Sequence, residues 1–256
     1  KDQQEESSTI AEDDKEVVLI VEDNLRMLSF IEKILTSEYK VMTAKDGKEA
    51  LELIDINLPD LVISDVMMPE MNGITLLNKI KSDIMTCHIP VILLTAKSEL
   101  ESRIEGLEQG ADHYISKPFD VNLFLAEVKS TVQNRNKIKE RIKMNLPFDL
   151  TGEQIHPLDK KLLNKIKEVV TENYHNPDFD SNMFSKKVYL NRSQFFKKMK
   201  ALTNQTPTEF IREYRMNKAV EYLLKDKVPI SEVNYMVGIS SRSYFTKCFK
   251  EIYGTS

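Results

Sequence analysis

Five polar positions stand at the ends of short apolar runs. Glu22 and Asp23 follow residues 17–21, Asp65 follows 61–64, Thr95 follows 90–94, and Lys117 follows 113–116. Three carboxylates converging on one point repel each other unless a cation sits among them, and hard oxygen donors with open positions suit Mg²⁺. An ammonium and a hydroxyl beside them can hold the oxygens of a phosphoryl group in transfer. That reaction needs positioning and charge neutralisation more than covalent chemistry. Asp65 can itself be the nucleophile, as carboxylates are in aspartyl-phosphate chemistry. Each residue alone has a blander explanation: a Glu-Asp pair after a strand is usually a solvated loop or a helix cap. The weight comes from all of them standing at the same ends of five alternating units.

Those units are read from hydrophobic period. Run 17–21 is short and continuously apolar, the pattern of a strand buried on both faces, and 39–44, 61–64, 90–94 and 113–116 are the further strand candidates. Between and after them lie helical patterns at 24–37, 47–56, 73–81, 98–109 and 120 to about 143. Five repeats of strand then helix predict an α/β doubly wound five-stranded parallel sheet with helices on both faces. In such sheets the site lies at the carboxyl ends of the strands, where the polar residues collect.

The second half has a different chemistry. From Asp159, an expected helix cap, the pattern is helical throughout, with short pairs at 181–189 and 192–202 and at 230–237 and 242–253. A long helix from Pro207 to about Lys225 joins them. An internal repeat runs at an offset of 50 residues: Arg192, Ser193, Phe195, Lys197 and Lys200 match Arg242, Ser243, Phe245, Lys247 and Lys250. Asn204 matches Gly254, both suited to the left-handed conformation that ends a helix. Phe195, Met199 and Leu202, or Phe245, Phe249 and Ile252, would form the buried stripes. The opposite faces carry Arg192, Ser193, Phe196 and Lys197 in one copy and Arg242, Ser243, Thr246 and Lys247 in the other. Two short-helix pairs with polar and basic residues near a helix N-terminus meet the requirement for reading a major groove. A helical bundle with solvated lysines is the alternative.

Charge supports the division. Residues 1–150 hold 18 Lys and Arg against 28 Asp and Glu, a net of -10, and residues 151–256 hold 18 against 12, a net of +6. An acidic half followed by a basic half suggests two jobs, the second involving a polyanion. The expected organisation is an acidic lead-in at 1–15, a first domain at 16–144, a linker at 145–157 containing Pro147, Gly152 and Pro157, and an all-α domain with two helix-turn-helix units at 158–256. Two distant cysteines, Cys87 and Cys248, lack metal-ligand spacing and read as free thiols of a cytoplasmic protein. No run approaches the ~18 apolar residues of a membrane span. The absence of an initiator Met, the acidic start and the stop just after Gly254 suggest a piece of a longer protein.

The segments 21–24, 60–69, 71–73, 94–96 and 117–119 resemble receiver domains of response regulators over about residues 16–140. The resemblance implies a CheY-like fold in which Asp65 accepts phosphate from a histidine kinase. Glu22 and Asp23 would hold Mg²⁺ with a backbone carbonyl near Met67, and Thr95 and Lys117 would contact phosphoryl oxygens. Tyr114, three before the Lys, stands where the family keeps an aromatic switch residue. The tract 237–250, with 206–211 and 215–224, resembles the second helix-turn-helix and linker helix of AraC/XylS-type regulators over about residues 157–256. Two departures matter: Asn234 replaces a small Ala, predicting a looser or differently packed second unit, and Ile239 replaces a Phe. The order of domains resembles the carboxyl-terminal part of hybrid two-component regulators, which implies a kinase on the same polypeptide, anchored in the inner membrane, and a homodimer on phosphorylation. An aspartyl-phosphate phosphatase of the haloacid-dehalogenase type would need its nucleophile after the first strand, where Glu22-Asp23-Asn24 stands. A module binding an acidic protein is the third class, separable from a DNA reader by the salt dependence of binding.

Overall fold

The computed structural model describes residues 15–96, 110–145, 155–226 and 228–254. The chain divides into two compact units, residues 1–137 and 138–256.

The first unit is built from β1 (Val17–Val21), α1 (Leu25–Leu35), β2 (Lys40–Ala44), α2 (Gly47–Asn57), β3 (Leu61–Asp65), α3 (Gly73–Ser82), β4 (Val91–Ala96), β5 (His113–Lys117) and the start of α4 (Val121–Asn145). All strand pairs are parallel and the order is β2-β1-β3-β4-β5. Side chains alternate across a strand, so one face sends Val18, Ile20, Leu61, Ile63, Ile92 and Leu94 against Ile31, Leu35, Phe124 and Val128. The other sends Leu19, Val21, Val62, Val91 and Leu93 against Ala50, Ile54, Leu76, Leu77 and Ile80. Burial on both faces is why β1, β3 and β4 read as near-continuous apolar runs, with each fully buried aliphatic side chain contributing ~1.5–3 kcal/mol. The edge strands β2 and β5 are mostly half-buried and mix polar with apolar residues. β1 and β3 are neighbours while β2 lies on the far side of β1, so the chain reverses direction across the sheet between them. Such a switch point leaves a crevice at the strand ends.

The helix expected at 98–109 lies outside the described residues. β4 runs two residues further than the apolar run suggested, because Thr95 pairs with Ser116 and Ala96 with Lys117. α1, α2 and α3 start where Asn24, Asp46 and Asn72 accept hydrogen bonds from the free N–H groups of their first turns.

The second unit holds α5 (Pro157–Asn173), α6 (Ser181–Lys187), α7 (Arg192–Thr203), α8 (Pro207–Glu221), a π-helical turn (Tyr222–Asp226), α9 (Ile230–Met236) and α10 (Arg242–Tyr253). Asp159 is not the cap of α5: His156 takes that position ahead of Pro157. Asp159 is instead buried, 2.5 Å from the Nζ of the fully buried Lys198. A carboxylate desolvated this far persists only beside a compensating charge. α8 ends at Glu221 rather than near Lys225, widening into the π-helical turn.

The repeat is visible in the backbone. Asn204 and Gly254 close α7 and α10 at φ 57° and 71°, and the turns inside the two helix pairs place Tyr189 and Gly238 at φ 63° and 73°. The N–H of Leu190 reaches the Ser185 carbonyl at 3.1 Å as that of Ile239 reaches Asn234 at 2.8 Å. The buried stripe of α7 is Phe195, Met199 and Leu202. That of α10 differs from expectation: Phe245 and Cys248 are buried, whereas Phe249 and Ile252 pack only partly. Asn234 is fully enclosed; its Nδ2 donates to the Ile239 carbonyl at 2.9 Å and its Oδ1 has no partner.

Candidate functional site

The carboxyl ends of β1, β3 and β5 bring the first set of polar residues together. Oxygens of Glu22, Asp23 and Asp65 lie within 4.8 Å of one another. Lys117 donates from Nζ to Glu22 Oε2 at 2.7 Å and stands 3.0 Å from Asp65 Oδ2. Burial pushes the Glu22 carboxyl above its ordinary pKa against the pull of Lys117, and the Asp65 charge adds to the rise. Burial also opposes the Lys117 ammonium, but its hydrogen bonds to Glu22 and Asp65 outweigh it, so its pKa is raised. One ammonium against three carboxylates leaves an excess of negative charge among hard oxygen donors. A divalent cation such as Mg²⁺ fits that donor set.

The loop after β3 is tied down closely. Gly73 donates its N–H to the Val66 carbonyl at 3.0 Å. A Cβ on Gly73 would fall 2.1 Å from the Asp65 carbonyl oxygen, so no larger residue lets α3 start this near the strand end. Ser64 Oγ donates to that carbonyl oxygen at 2.8 Å. Met67 turns its side chain outward. Thr95 is buried at the end of β4, its Oγ1 3.4 Å from the Ala96 carbonyl. Tyr114 stands half-buried on β5 in register with Leu93, against the core that packs α2 and α3.

In the second unit the two repeat helices turn matching faces outward. Arg192, Ser193, Phe196 and Lys197 on α7 are exposed, as are Arg242, Ser243, Thr246 and Lys247 on α10. A capping box between Asn191 and Gln194 fixes the start of α7, and Ser241 caps α10. Thr246 Oγ1 donates to the Arg242 carbonyl at 3.0 Å, so what its hydroxyl has left is acceptor capacity. Gln194 and Tyr244 are exposed on the same first turns and were not singled out from the sequence, although the 50-residue offset pairs them. The Asp159–Lys198 pair was also missed. The repeat held a clue, since Lys198 matches the buried Cys248. Among the described residues no helix is long and apolar enough to cross a membrane.

Residues 18–129 match the family model of the response regulator receiver domain, and residues 184–256 match that of a helix-turn-helix domain. Over 94% of its length the chain is 44% identical to "Histidine kinase P4" of Formosa agariphila, of which it spans 18%. Over 48% of its length it is 42% identical to "Response regulator PleD" of Caulobacter vibrioides, of which it spans 27%. The receiver domain of a signal transduction histidine kinase from Syntrophus aciditrophicus has a solved structure; it is 36% identical and covers 46% of this chain and 91% of its own, with a TM-score of 0.44. Within this segment, a receiver paired with a helix-turn-helix domain is the architecture of a regulator. The chain carries a response regulator receiver domain followed by a helix-turn-helix domain of the AraC type.

Proposed function

We propose that the chain is a phosphorylation-controlled, sequence-specific transcription regulator in which Asp65 is the phosphoacceptor. A carboxylate oxygen of Asp65 attacks the phosphorus of a phosphohistidine on a histidine kinase. A P–O bond forms, the P–N bond breaks, and the imidazole leaves with the electron pair. Glu22, Asp23, Asp65 and the backbone carbonyl of Met67 would hold Mg²⁺, which supplies charge neutralisation when bound. Lys117 and Thr95 bind phosphoryl oxygens, and Tyr114 carries the change in that site to the rest of the unit.

The observation that carries the reading is Lys117 held at 2.7 and 3.0 Å from two of three clustered carboxylates. That position supports a role for the ammonium in binding the phosphoryl oxygens that Asp65 would gain. The output is binding of double-stranded DNA through Arg192, Ser193, Phe196 and Lys197 and through Arg242, Ser243, Thr246 and Lys247. The match of 94% of this chain to 18% of a protein named as a histidine kinase supports a kinase on the same parent polypeptide. We place this segment in the cytoplasm, with the parent anchored in the inner membrane and the phosphorylated form a homodimer.

The test is incubation with acetyl phosphate and Mg²⁺, followed by intact-mass spectrometry. The wild-type chain gains one phosphoryl group, and Asp65→Asn gains none because an amide is not a nucleophile. A phosphoryl group retained in Asp65→Asn would place the acceptor elsewhere.

A further inference from the structure

The segment Tyr174-His175-Asn176, at the end of α5, touches three parts of the DNA-binding domain at once. Arg215 of α8 donates from Nε to the Tyr174 carbonyl at 2.8 Å and from Nη2 to the Asn176 carbonyl at 2.6 Å. The guanidinium fork thus closes the carboxyl end of α5, where helical carbonyls lack intrahelical donors. Gly238, in the turn that leads to α10, lies so near that a Cβ on it would be 2.5 Å from the Tyr174 carbonyl oxygen. The Tyr174 and Tyr222 hydroxyls meet at 2.9 Å, with Tyr222 opening the π-helical turn, and Thr171 Oγ1 meets the Tyr214 hydroxyl at 2.9 Å.

The same α5 holds α7 through the buried pair of Asp159 and Lys198. α10 is tied back to α8 by Tyr253 Oη donating to Asn217 Oδ1 at 2.6 Å. One helix therefore carries the first reading helix near its start and the turn before the second at its end. The linker helix α8 is clamped to that end by Arg215.

We infer that Arg215 is a positioning residue that fixes the separation and rotation between α7 and α10, and so sets the spacing of the two DNA segments the protein accepts. This rests on the proposal that both helices read DNA. Its own content is that spacing is specified away from any base contact, by the Arg215 fork on the 174–176 carbonyls. Inserting one base pair turns the second segment by roughly 35° about the duplex axis, at 10–10.5 base pairs per turn. A rigid pair of reading helices cannot follow that rotation, whereas a loosened pair can.

The experiment uses the full chain and a duplex selected by the wild-type chain from a random double-stranded DNA pool, with footprinting to locate the contacted segments. One or two base pairs are then inserted between those segments. The wild-type chain is expected to lose about tenfold or more in affinity per insertion. Arg215→Lys, which keeps the charge but cannot fork onto both carbonyls, is expected to lose less than about threefold per insertion while binding the original duplex within about fivefold. Tyr222→Phe, which removes only the hydroxyl contact to Tyr174, is expected to shift the same way by less. Equal loss at every spacing in Arg215→Lys, or a spacing profile like that of the wild type in both variants, overturns the inference. A single protected segment, with wild-type binding indifferent to insertion, instead overturns the two-helix reading beneath it.

Discussion

At the scale of single residues, the carboxylate cluster of the receiver stores repulsion. Glu22 is almost fully enclosed among Asp23, Asp65 and Lys117, and burial is the largest cause of its raised pKa. Its folded-state pKa lies above its unfolded value, so its ionisation costs stability. The cost is absent below the ordinary value of 4.5 and sets in as the pH rises through the interval up to the folded-state value. Glu22→Gln should therefore raise the melting temperature at pH 7 without Mg²⁺, lose that advantage near pH 4, and show little of the stabilisation that Mg²⁺ gives the wild type. Thermal unfolding at the two pH values, with and without Mg²⁺, checks this; a variant less stable at pH 7 in the absence of metal contradicts it. That Glu22, Asp23, Asp65 and Lys117 come together was legible in the sequence, because they stand at the ends of neighbouring strand candidates. Asp159 was misread as a cap because its partner Lys198 is far along the chain, and the ion pair exists only once α5 and α7 pack.

At the scale of elements, the central strands were the most legible part, since β1, β3 and β4 are near-continuous apolar runs bounded by polar residues. The end of β4 was not, because Thr95 and Ala96 join the sheet through pairing with Ser116 and Lys117, which periodicity cannot show. The close start of α3 was equally hidden: Gly73 looks like an ordinary turn glycine until its distance to the Asp65 carbonyl is known. Gly73→Ala should destabilise the receiver by about 2–3 kcal/mol, the cost of overpacking a close contact. It should also slow phosphorylation, because relief of the clash displaces the backbone that carries the acceptor. Urea unfolding and the initial rate with acetyl phosphate measure the two effects, and an unchanged rate would separate the α3 start from the acceptor's position.

The reading helices belong to the same scale. Arg242 is exposed at the first turn of α10 and Lys247 one turn later, with Lys247 Nζ 4.0 Å from Glu251. Arg242→Ala should relax base preference at one position by about 1–3 kcal/mol. Lys247→Ala should weaken binding evenly across sequences and reduce the log-log salt slope by about 1. Competition binding at several salt concentrations distinguishes them; identical effects from both would remove the division of labour. Asn234 was expected to leave the second helix pair looser or differently packed; in the structure it is enclosed and bonded to the Ile239 carbonyl, with Oδ1 unmatched.

At the scale of the molecule, the charge asymmetry matches the two domains: an acidic receiver that collects carboxylates at the carboxyl ends of its strands, and a basic domain that turns two matched helix faces outward. The order of the two domains was legible from the change of period alone, alternating strands and helices giving way to helices only. The proposed coupling between them was not, because no pattern of side chains within either domain encodes a change of state at Asp65. The most direct test is the affinity of the chain for its selected duplex, measured with and without acetyl phosphate in Mg²⁺, for the wild type and for Asp65→Asn. Couplings between linked sites commonly fall at 1–3 kcal/mol. A change of about 5- to 150-fold is expected in the wild type and none in Asp65→Asn. An unchanged wild-type affinity at full phosphorylation of Asp65, or an equal change in the variant, would contradict the proposed coupling.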